Sequence, residues 1–124
     1  MDSGFKSAIR TAQAFKSNSQ QDSVLPFIKA LHRECAVDEP IMCTVQEMLF
    51  GSIAIVEYAH DDLPRLIEIG VNYGRDNDTI ASIAAAFGGA AAGVDALSDE
   101  WQQTVKTANP QYNFAETASR LAQL

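Results

Sequence analysis

Residues 76–79 read Asp-Asn-Asp-Thr and open the run "DNDTIASIAAAFGGAAAG". Asp76, Asp78 and Thr79 thus bring two carboxylates and a hydroxyl to the head of a helix of small apolar residues. Two chemistries suit these residue types. As helix caps, they satisfy backbone N–H groups and sit at the positive end of the helix dipole. As ligands, they offer hard oxygens to a divalent cation. A single cap is worth about 1 kcal/mol, so one residue would suffice for that task. Carboxylates spaced i and i+2 in a turn can converge and repel, and a cation removes that repulsion. The residues alone leave both readings open. An EF-hand is excluded, because the next two key positions of its loop hold Ile80 and Ala81 instead of an oxygen ligand and Gly.

The helix behind the turn carries Gly89 and Gly93 among alanines at 84–86 and 90–92. Gly costs about 1 kcal/mol relative to Ala in a helix interior. These glycines therefore predict close approach of another helix, which would also set where the acidic turn sits. Gly74 is a helix stop before the turn.

The remaining periodicity is helical, and no segment shows strand alternation. Ile9, Ala12 and Phe15 share a face of a first helix. "SNSQQDS" (17–23) is a polar break, and Ser23 is placed as the N-cap of a helix running through Phe27, Ile28 and Leu31 to about Cys35. "AVDEPIMC" (36–43) is a loop. "TVQE" predicts a capping box, with Thr44 as N-cap and Glu47 reaching back, opening a helix to about Ala59. Asp62 caps the next helix. The helix after Gly74 begins near Asp78 or Thr79. Others start after Ser98 and at "NFAE", a second capping box from Asn113 to Glu116. The expectation is one all-α domain over residues 1–124, an orthogonal helical bundle.

Sixteen acidic residues against nine basic ones give a net charge of −7, which argues against nucleic-acid binding, since that needs a basic face. Only two cysteines, Cys35 and Cys43, are present, so a reducing cytoplasm is expected. No apolar stretch is long enough for a membrane span.

"VNYGRDNDTIASIAAAFGGAAAGVDALSDEW" resembles the C-terminal part of the ADP-ribosylglycohydrolase family, which includes the dinitrogenase-reductase-activating glycohydrolases. The shared pattern is a Gly-x-Asp-x-Asp-Thr turn, an Ala/Ile/Gly-rich helix, a short loop and a Trp. The resemblance is strong over 66–101, extends back to Thr44 and continues through "NFAETASRLAQL"; residues 1–20 are not placed by it. It implies that Asp76, Asp78 and Thr79 ligate paired Mg²⁺ ions, or Mn²⁺, and that ADP-ribose or an ADP-ribosylated substrate is bound and its N- or O-glycosidic bond hydrolysed. It also implies further ligands, a Thr-Asp-Asp cluster and a Glu near a Gly-Asp segment, that this sequence does not contain. The chain is expected to carry half of a site, completed by a partner chain or by self-association, or else to serve as a non-catalytic helical binding or regulatory module.

Arg75 stands where the family often has Gly. Flanked by aspartates, it is expected to pair with them; the alternative, a ligand phosphate, makes it the candidate substrate-binding residue. "HDD" (60–62) is read as the cap of the next helix through Asp62 rather than as the missing cluster. His32, Cys35, Cys43 and His60 lack a zinc spacing. Trp101 is read as a core anchor in preference to an adenine-stacking surface.

Overall fold

The computed structural model describes residues 3–17, 24–35 and 44–124. Seven α-helices follow in order: α1 (Ser3–Ser17), α2 (Leu25–Cys35), α3 (Val45–Ala59), α4 (Leu63–Asn72), α5 (Asn77–Ala92), α6 (Asp99–Ala108) and α7 (Phe114–Leu121). A 3-10 turn, Val94–Ala96, joins α5 to α6. No strand occurs among the described residues, and the all-α class is the observed one. No helix among them is long and apolar enough to cross a membrane. Ser23, the 36–43 loop and Cys43 lie outside the described residues.

Most of the starts are fixed by side-chain caps. Thr44 Oγ1 accepts from the Glu47 N–H at 3.2 Å. Asp62 Oδ1 accepts from the Arg65 N–H at 3.0 Å, with Pro64 in the first turn, where its missing N–H costs nothing. Ser98 Oγ accepts from the Trp101 N–H at 3.3 Å. Asn113 Oδ1 accepts from the Glu116 N–H at 3.1 Å, and the Asn113 amide donates back to the Glu116 carboxylate. The helix after Gly74 starts at Asn77, earlier than the expected Asp78 or Thr79, because Asp76 takes the N-cap position.

The core is shared by α1 to α5. Ala8 and Ala12 are fully buried on α1, with Phe5 and Phe15 packed beside them and Ile9 only half-buried. Phe27, Ile28 and Leu31 of α2 are buried as their spacing predicts. Phe27 stacks on Tyr58 with ring centroids 4.2 Å apart, and Phe5 meets Phe50 edge-on at 5.5 Å. Leu66 and Ile69 of α4 face Ile80 and Ala84 of α5, all fully buried. Each aliphatic side chain of Leu or Ile size so enclosed contributes about 1.5–3 kcal/mol.

Helices α4 and α5 make the closest approach, but not through the glycines singled out in the sequence. A Cβ at Gly70 would lie 2.8 Å from the Ala81 Cα, and one at Gly88 would lie 2.7 Å from a Leu66 methyl. Gly89 faces open space, and Gly93 is the C-cap of α5 at φ 78°. Gly88 and Gly70 therefore carry the packing role expected of Gly89 and Gly93. The run "FGGA" offers two adjacent glycines, and only the tertiary partner distinguishes them.

Helices α6 and α7 bury no residue. Trp101 is 43% exposed, which corrects its reading as a core anchor: the helix that carries it has no core to enter.

Gly70→Ala should destabilise the protein by about 1–3 kcal/mol, because the clash is with backbone and cannot be relieved by a rotamer change. Gly89→Ala should stabilise it by up to about 1 kcal/mol. Urea denaturation followed by circular dichroism compares the two; equal effects would contradict this packing arrangement.

Candidate metal centre

The acidic turn is built between two helix ends. Asn72 closes α4, and its side-chain amide donates to the Glu68 carbonyl at 2.8 Å. Tyr73 is buried, with its ring against Gly51 and the His32 imidazole edge-on at 4.5 Å. Tyr73 is thus a packing residue. Gly74 and Arg75 then adopt left-handed backbone, φ 79° and 54°. Gly takes this conformation freely, whereas a residue with a Cβ pays roughly 1–2 kcal/mol for it.

Asp76 is the N-cap of α5, yet its side chain makes no cap hydrogen bond. Asp78 lies in the first turn of the helix. Asp76 and Thr79 are half-buried and Asp78 is exposed. All three candidate ligands are therefore brought to one helix end by local chain geometry. Their oxygens suit a hard divalent cation in kind, and the helix dipole favours negative charge there. In number they supply only part of a coordination sphere. Among the described residues, no group of three or more His, Cys, Asp or Glu is placed to hold a metal ion.

Residues between and on either side of the candidate ligands tie the turn down. The Asn77 amide donates to the Val71 carbonyl of α4 at 2.8 Å. The buried Ser52 hydroxyl of α3 donates to the Ile80 carbonyl at 3.3 Å. Arg75 makes a two-pronged ion pair with Glu47, Nε to Oε1 and Nη2 to Oε2, the latter at 3.0 Å. This corrects the expectation that Arg75 pairs with its flanking aspartates.

Glu47 also departs from expectation. Its backbone N–H completes half of the predicted capping box, but its carboxylate is given to Arg75 instead of the Thr44 N–H. Sequence reasoning missed it as part of the site. A signal was present: positions 47, 50, 51, 52, 54 and 55 form the buried stripe of α3. A carboxylate on such a stripe must have a charged partner.

The other candidates lie elsewhere. Asp62 is engaged in capping α4, and the exposed His60 pairs with Asp61 at 2.7 Å. His32 is half-buried against Tyr73, and Cys35 is described in backbone only. A cavity of about 570 Å³ opens on the outer side of α4, walled by Asp62, Arg65, Glu68, Asn72 and Trp101. An apolar cleft of about 340 Å³ on the other side of Trp101 is walled by Ile67, Val94, Leu97, Val105 and Phe114. Neither is walled by the acidic turn. Burial acts against the Arg65 charge, but the hydrogen-bonded Glu68 carboxylate together with Tyr58 raises the guanidinium above its ordinary range.

An all-helical body with an Asp-Asn-Asp-Thr turn between α4 and α5 defines the class of protein at hand. Residues 3–124 match the ADP-ribosylglycohydrolase family, which is essentially the whole chain. The chain belongs to the ADP-ribosylglycohydrolase family. The match takes in α1, which the motif resemblance did not reach. No curated protein and no solved structure matches the chain.

Capping and ligation predict different costs at the two aspartates. Asp62→Ala should cost about 1 kcal/mol, as for a working N-cap. Asp76→Ala should change stability by less than about 0.5 kcal/mol, since no cap bond is lost. Denaturation midpoints of the two variants measure this; a full cap-sized loss at Asp76 would make the turn a capping device.

Proposed function

We propose that this chain supplies Asp76, Asp78 and Thr79 as its share of a divalent-metal site for the hydrolysis of an ADP-ribosyl glycosidic bond. The observation that carries the reading is that Asp76 occupies an N-cap position and leaves its carboxylate out of capping, in a family whose members act on ADP-ribosyl bonds. Magnesium, or manganese, is the fitting cation, because carboxylate and hydroxyl oxygens are hard ligands. When bound, it supplies Lewis-acid polarisation and orients a water. Asp76 and Asp78 contribute charge and Thr79 a neutral oxygen, all held by the head of α5.

Three ligands from one chain bind Mg²⁺ weakly, because the ion demands near-octahedral geometry and gives up water reluctantly. A partner chain or a second copy of this chain completes the site in this reading. A non-catalytic binding module is the second reading. It is favoured by α6 and α7, which bury nothing and expose Trp101, Val105, Phe114 and Leu121.

Calorimetric titration of ADP-ribose, with and without magnesium, separates the two. The metal-site reading expects binding that requires magnesium and weakens at least ~10-fold in Asp76→Asn and in Asp78→Asn, a loss in the range typical of supporting a metal site. Binding that ignores both magnesium and the substitutions in a folded protein would favour the non-catalytic module. Sedimentation at low concentration then reports whether a second copy is involved.

A further inference from the structure

We infer that Arg75 and Glu47 form a positioning pair that presets the acidic turn for its cation. The inference rests on the metal-ligand reading of Asp76, Asp78 and Thr79.

Tethers and candidate ligands are interleaved along the turn. Residues 75, 77 and 80 are tied to α3 or α4, through Glu47, the Val71 carbonyl and Ser52. Residues 76, 78 and 79 carry the oxygens. Arg75 is the tether on the N-terminal side and the only one made by charge. Its backbone torsion directly precedes Asp76, so its conformation sets where that carboxylate points. That conformation is left-handed, at φ 54°, which a residue with a Cβ adopts only when its surroundings hold it there.

Glu47 provides the hold. It is 1% exposed, and a carboxylate so enclosed requires a paired, hydrogen-bonded cation. The planar guanidinium meets it through two nitrogens, which fixes orientation as well as charge. The pairing has a second consequence. A guanidinium beside two aspartates would otherwise neutralise them and compete with a metal ion. Glu47 draws it to the α3 side of the turn and leaves the aspartate charge available.

Groups that orient metal ligands typically change affinity 10- to 100-fold when replaced. The test uses Mn²⁺ binding to the full chain, followed by the loss of the free-ion electron paramagnetic resonance signal. Amide hydrogen exchange at Ile80, whose N–H donates to the Asp76 carbonyl at 3.1 Å, provides a second readout that needs no metal. Arg75→Lys keeps the charge and loses the fork; Glu47→Gln releases the guanidinium. Both should weaken Mn²⁺ binding 10- to 100-fold. The double variant Glu47→Leu/Arg75→Gly removes both charges, so no unpaired buried carboxylate remains to unfold the protein. It should stay folded, bind Mn²⁺ equally weakly, and exchange faster at the Ile80 amide while the amides of α1 keep their protection.

Wild-type affinity and exchange in the folded double variant would overturn the positioning role and leave the pair as a contributor to stability. Should wild type and Asp76→Asn bind Mn²⁺ no differently, the metal-ligand reading fails. Exchange at the Ile80 amide then still decides whether the pair holds the turn, and an unchanged rate would reject it.

Discussion

The contact between Gly70 and the backbone of Ala81 governs the geometry of the functional end of this molecule. With no side chain between them, α4 and α5 come close enough to share one core cluster, in which Leu66, Ile69, Ile80 and Ala84 are all fully buried. The chain must then reverse within the four residues between Asn72 and Asn77. That short path runs through the consecutive left-handed residues Gly74 and Arg75. A longer loop would spread the reversal over ordinary backbone and would not deliver three oxygen-bearing side chains at the head of α5.

The tight reversal alone would leave the turn free to rock about its strained residues. Its anchoring comes from α3, which packs on both α1 and α5. Glu47 and Ser52 sit on the buried stripe of that helix and reach the two ends of the turn. A polar group on a buried stripe is expensive unless fully partnered. Both have their partners in the turn, so the same packing that buries them also directs them to it.

The C-terminal helices follow a different logic. They are well capped, through Ser98 and Asn113, yet they bury nothing. Local signals are enough to form such helices but not to cover their apolar residues. Trp101 stands between two open clefts for this reason.

By itself the sequence determined the helices, most of their caps and the grouping of Asp76, Asp78 and Thr79. These depend on residues a few positions apart, and helical periodicity and capping chemistry act over that range. The family pattern around the turn was legible for the same reason. Tertiary structure alone decided the rest: that Gly88 and Gly70 pack while Gly89 does not, that Trp101 stays outside the core, and that Arg75 answers to Glu47 rather than to its neighbours. Glu47 and Arg75 are separated by 28 residues. Nearest-neighbour charge favoured Asp76 for Arg75, but an aspartate near water gains little from a partner. A carboxylate sealed inside α3 cannot remain without one.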